Sequence, residues 1–183
     1  MWLARMERVA DWILDTESTR RTRARPTVFE EKGKATLPNL GFTLTGTADR
    51  IDMDDTGQLY IYDYKTGAAP AKDQQKHFDK QLLLEAAMAE LQGFGQLVPN
   101  PVAGAYYLSL NTDPKEVAAP LDDEPVEKVW SEFEALIAAY LDEGKSFPSR
   151  RAMFTKDMQG DYDQLARFGE WDITDDPSEE SVT

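Results

Sequence analysis

Two alternating segments, "FTLTGTADRID" at 42–52 and "QLYIYDYK" at 58–65, flank the turn-forming "DDTG" at 54–57, and this pair constrains the fold more than any other feature. Side chains of a strand alternate between its faces, so Asp63 and Lys65 project one way and Tyr62 and Tyr64 the other. If the strands pair antiparallel in the register where facing positions sum to 112, Asp49 stands opposite Asp63 and both carboxylates share a face. A two-residue turn at Asp55 and Thr56 would instead set Asp49 opposite Tyr62 and separate them.

Around this hairpin the order of elements is readable. Trp2, Leu3, Met6, Val9, Ile13 and Leu14 recur at helical spacing and predict a helix over 2–20. "TVFEEKGKATL" predicts a strand joined to the next by "PNLG", which makes a three-stranded meander. "KHFDKQLLLEAAMAELQ" predicts one helix over 76–92, "VAGAYYLSL" a fourth strand, and 124–142 a long helix with proline near its first turn and Gly144 beyond its end. The expected architecture is α/β, with the order α-βββ-α-β, a mixed central sheet and flanking helices, followed by a further helix. A domain over 1–155 is expected, followed by an extension over 156–183 whose acidic tail, "WDITDDPSEESVT", reads as disordered.

Two carboxylates and a lysine at one end of a sheet suit metal-dependent phosphodiester hydrolysis. Magnesium prefers oxygen ligands, so Asp49, Asp63 and the backbone carbonyl of Tyr64 form a plausible ligand set, with Mg2+ or Mn2+ the expected cofactor. Lys65 then orients or activates water and balances charge as the transition state forms. The bland alternative is a surface ion pair of Lys65 with Asp63 or Asp49.

The pattern "GTADRID", then "IYDYKTG", then a helix carrying Gln81, resembles the PD-(D/E)XK nuclease superfamily, in particular its RecB-like nuclease domain. The resemblance implies a restriction-endonuclease-like core, with Asp49, Asp63 and Lys65 as the metal and catalytic centre and Gln81 beside the phosphate. Glu30 matches a strand position where related proteins often carry a glutamate. More narrowly, "QLLLEAAMAE" and "GDYDQLARFGEW" after "FPSRRAMF" are similar to the C-terminal region of the AddB family. That likeness implies DNA as substrate, recombinational double-strand break repair as the setting, and an AddA-like helicase–nuclease subunit and the rest of an AddB chain as partners.

Three departures accompany it. Gln81 is followed at the fourth position by Glu85, where the family usually has tyrosine; Glu85 reads either as an outer-shell group or as a salt-bridge partner of Lys80. The chain has no cysteine, which excludes the iron–sulfur cluster of many AddB proteins. The family's upstream G-x-x-x-H histidine has no counterpart before Asp49, and the lone histidine, His77, follows the lysine. A catalytically weak module that docks DNA or a partner subunit is therefore the alternative.

Charge bears on that choice. The net charge of −14 opposes phosphate binding, although Arg20, Arg21, Arg23 and Arg25, then Lys72, Lys76 and Lys80, then Arg150, Arg151 and Lys156 form basic clusters that read equally as solvated faces. Trp130, Phe133, Tyr140 and Trp171 read as core or as an interface. No phosphate-loop motif supports ATP binding and no nucleophile elbow supports serine chemistry. No apolar run reaches the roughly 18 residues of a membrane span, and a cytoplasmic location is expected.

Overall fold

The computed structural model describes residues 2–146 and, beyond them, 160–161, 163–171, 175–176 and 178. Five strands, β1 (Arg25–Leu37), β2 (Phe42–Met53), β3 (Leu59–Lys65), β4 (Val102–Ser109) and β5 (Lys115–Ala118), lie in that order in one sheet. β3 and β4 run parallel and the other neighbours antiparallel. Helix α1 (Trp2–Arg23) precedes the sheet, α2 (Lys72–His77) and α3 (Gln81–Leu91) connect β3 to β4, and α4 (Val126–Leu141) follows β5. This is the mixed α/β architecture expected.

The β2–β3 register runs from Arg50 opposite Tyr62 to Met53 opposite Leu59, so facing positions sum to 112. The turn fixes it. Asp54 Oδ1 accepts hydrogen bonds from the amides of Thr56 and Gln58 and from the Thr56 hydroxyl, and Gly57 adopts a φ of 89° that favours glycine.

Each sheet face has its own packing. Ala35, Ala48, Ile51, Ile61, Ala105 and Tyr107 form the core with Leu82, Leu83, Ala86 and Met88 of α3. Ala48 and Ile51 are three apart yet belong to one core, so strand alternation slips between them. Glu30 of β1, whose φ is 47°, lies across from this point; the β1–β2 register is unchanged there, from Phe29–Arg50 to Glu31–Ala48, and shifts only between Pro26 and Val28. On the other face α1 meets the sheet through polar groups. Arg50 donates to both oxygens of buried Asp52 at 2.6 Å and to Glu17 of α1 at 2.7 Å, while Arg23 donates to the Tyr62 hydroxyl at 2.6 Å. Burial opposes the charge of Arg50, but the bonds to Asp52 and Glu17 outweigh it and raise its pKa.

Two expectations need correction. The single helix over 76–92 is broken: α2 ends at His77, Phe78 and Asp79 both donate back to the Gln74 carbonyl, and α3 starts afresh at Gln81. The break lets each helix follow its own partners, Lys76 reaching Asp123 and Gln81 reaching Lys65. A fifth strand, "KEVA", extends the sheet beyond the four expected; its short, largely exposed pattern carries no apolar alternation to announce it. Of the two readings of Trp130 and Phe133 the packing supports core: Trp130 lies against the core and Phe133 meets the rings of Trp130 and Phe42 at 5.5 and 5.9 Å.

The chain divides into two compact units, one ending at Glu134 and one starting at Ala135. In the second, the Trp171 indole donates to the Ala166 carbonyl at 2.7 Å and its ring meets Phe168 edge-on. The boundary expected at 155, the basic residues Arg150, Arg151 and Lys156 and most of the acidic tail lie outside the described residues. Among the described residues no helix is long and apolar enough to cross a membrane.

Candidate active site

β2 and β3 stop pairing one residue short of Asp49. Their ladder ends at Arg50 opposite Tyr62, and the next contact is made by a side chain: the Tyr64 amide donates to Asp49 Oδ2 at 2.8 Å. The Asp49 carboxylate is thereby anchored beside β3 within a residue of Asp63. Asp63 is 5% exposed and pairs in the sheet with Tyr107 of β4.

Gln81, the first residue of α3, ties the cluster together. Its amide nitrogen donates to Asp63 Oδ1 at 2.6 Å and to Glu85 Oε1 at 3.0 Å, while its oxygen accepts from Lys65 Nζ at 2.9 Å. Lys65 Nζ also lies 3.0 Å from Asp63 Oδ2 and 5.3 Å from the centre of the Tyr107 ring. A lysine held over a ring and against an amide and a carboxylate is positioned as well as charged.

Glu85 is not a partner of Lys80. Lys80 pairs with Glu124 and Glu132, and Glu85 is buried one helical turn beyond Gln81. Burial, reinforced by the charges of Asp63 and Asp49, pushes its carboxyl up to about 7 against the opposing effect of the Gln81 bond. Glu30 is exposed on β1, opposite the slip in β2, and makes no hydrogen bond or ion pair among the described residues. His77 is the exposed last residue of α2.

The cluster fits a divalent cation by its donor chemistry. Asp63 Oδ2 and Glu85 Oε2 are buried oxygens with no hydrogen-bond donor, although Lys65 lies within ion-pair distance of the former. Three carboxyl groups thus face one ammonium group, and an added cation would relieve that imbalance. Among the described residues no three carboxylate or imidazole side chains converge tightly enough to hold a metal by themselves, so backbone oxygen and water would complete its shell.

The sequence does not announce Tyr107, since its place beneath Lys65 follows from the parallel register of β3 and β4. Nor does it announce Arg50 and Asp52. Their signal, two charges at alternate positions of a core strand, reads as an exposed face until α1 is seen to cover it.

The two basic clusters among the described residues are largely paired within the chain. Arg20 and Arg21 bind Glu17, Arg20 also binds Glu116, and Arg25 lies near Asp55. Lys72 and Lys76 share Asp123.

A sheet carrying these residues at the end of its central strands defines a class of nuclease. The sequence profile of the PD-(D/E)XK nuclease superfamily matches residues 1–160, and the chain belongs to that superfamily. Nucleases of this kind generally use divalent metals. An uncharacterized protein of Rickettsia conorii is 35% identical over 78 residues, which cover 41% of this chain and 9% of that protein. One from Rickettsia bellii is 29% identical over 96 residues, 51% of this chain and 12% of its own length. The chain thus matches only about a tenth of the length of these relatives.

Proposed function

We propose that this chain is a metal-dependent DNA nuclease, the hydrolytic module of an AddB-type helicase–nuclease subunit in recombinational double-strand break repair. The observation that carries the hydrolytic part is the Asp63–Gln81–Lys65 cluster beside Asp49. Asp49, Asp63 and the Tyr64 carbonyl would hold Mg2+ or Mn2+, which when bound supplies positive charge at the scissile phosphate and acidifies water. Lys65 donates to a phosphate oxygen or to the attacking water and offsets charge as the pentavalent state forms. Gln81 keeps Lys65 and Asp63 in register, so that neither swings away when substrate leaves.

The AddB assignment is supported by the likeness of "QLLLEAAMAE" and "GDYDQLARFGEW" and by relatives much longer than the matched segment. DNA, an AddA-like subunit and the remainder of an AddB chain are the corresponding partners.

The test is cleavage of end-labelled single- and double-stranded DNA with magnesium or manganese. Cutting is expected from the wild-type chain, with a loss of about 100-fold or more in Asp63→Ala and in Lys65→Ala while circular dichroism stays unchanged. DNA binding without cutting, indifferent to Lys65→Ala, would make the chain a docking module. Stable co-purification with an AddA-like subunit would support the finer assignment, and its failure would remove it while leaving the nuclease reading intact.

A further inference from the structure

Beyond Asp49 the β1–β2 hairpin carries a feature the catalytic cluster does not use. From Lys32 to Ala48, in a chain with 34 acidic residues, there is no aspartate or glutamate. Lys32 and Lys34 are exposed, make no ion pair among the described residues, and stand opposite exposed Thr47 and Thr45 in the ladder. This contrasts with Lys72, Lys76 and Lys80, each of which rests on a carboxylate.

The same stretch lines an open cleft of about 670 Å³. At its centre Gly33 pairs with Gly46, and its far side is formed by Gln92, Gly93 and Gly95, beyond the end of α3. Gly33 itself has no room for a side chain, because a Cβ there would meet the Phe94 ring at 2.5 Å. The Glu31 carboxylate rests against Gly95 at the margin of this hollow. Because β1 is the edge strand, a chain crossing the hollow and leaving over that edge comes within reach of both lysines.

We propose that this cleft is a binding site for the sugar–phosphate backbone of a DNA strand that continues past the catalytic cluster. Lysine ammonium groups and threonine hydroxyls are among the side chains that bind phosphate without reading sequence. α3 links the two places, since it starts with Gln81 at the cluster and brings Met88 within van der Waals reach of Gly46. The inference rests on the nuclease reading of the Asp49–Asp63 face.

The experiment measures fluorescence anisotropy of a labelled single-stranded DNA oligonucleotide with magnesium, in an Asp63→Ala background that prevents cutting. Lys32→Gln with Lys34→Gln is expected to weaken binding about tenfold and to reduce the slope of log affinity against log salt by about 1.4. Lys72→Gln with Lys76→Gln makes the same change in net charge and is expected to do markedly less. Equal weakening by both pairs, or by neither, overturns the cleft as a site, and the nuclease reading survives if the wild-type chain cuts DNA. A wild-type chain that neither binds nor cuts DNA overturns both.

Discussion

With one oxygen on the Gln81 amide and the other unpartnered, the Glu85 carboxyl titrates at about 7, well above its ordinary 4.5. Asp63, Asp49 and Lys65 are the charged groups that act on it, and the carboxylates add to burial in favouring its neutral form. A raised carboxyl pKa stabilises the fold fully below the unfolded value, and that stabilisation is lost as pH rises through the folded value. Metal-free protein should therefore lose on the order of 3 kcal/mol between pH 4.5 and pH 7 through this group. Glu85→Gln should gain thermal stability over wild type at pH 8 and little at pH 4.5, measured by calorimetry in chelator; an equal gain at both pH values would show that Glu85 ionises normally. The register of β2 on β3 was legible because one sum decides it, whereas the ladder stops at Arg50–Tyr62 and Asp49 reaches β3 through the Tyr64 amide instead of a cross-strand pair with Asp63. Glu85 was not legible, because a spacing of five from Lys80 and four from Gln81 allows two partners, and only packing distinguishes them.

The second strand carries a buried ion pair next to its site residue. Arg50 and Asp52 are both buried and share two hydrogen bonds, with Glu17 of α1 completing the set. Removing one partner leaves an uncompensated buried charge, which costs about 3 to 5 kcal/mol, whereas removing both can be nearly neutral. Arg50→Met should therefore lower the urea midpoint sharply, and Arg50→Met with Asp52→Leu should recover much of the loss. A double variant no better than the single one would mean that Glu17, left without Arg50, dominates the cost. At this scale the sequence revealed the meander and α1 because their apolar periods are strong. It concealed the break between α2 and α3, where no glycine or proline punctuates "HFDK", and β5, whose four residues acquire strand form from pairing with β4.

Across the whole molecule, 34 acidic residues face 20 lysines and arginines, so divalent cations have two ways to act. General screening should raise stability in every variant, whereas binding at the cluster adds about 2.7 kcal/mol when the cation is at 100 times its dissociation constant. The thermal midpoint should thus rise with magnesium or manganese in wild type and rise much less in Asp63→Ala; parallel curves would assign the effect to screening alone. The distribution of cations was the least legible property of the sequence. Runs of arginine and lysine read equally as binding surfaces or as solvated faces; in the two described runs counterions lie elsewhere in the chain, while Lys32 and Lys34 on a hairpin make no ion pair among the described residues. One backbone group also acquires a second use from its position. Because the Tyr64 amide donates to the Asp49 carboxylate instead of a neighbouring strand, its nitrogen resonance is a native spectroscopic probe at the mouth of the cluster, reporting what that carboxylate holds without any label being attached.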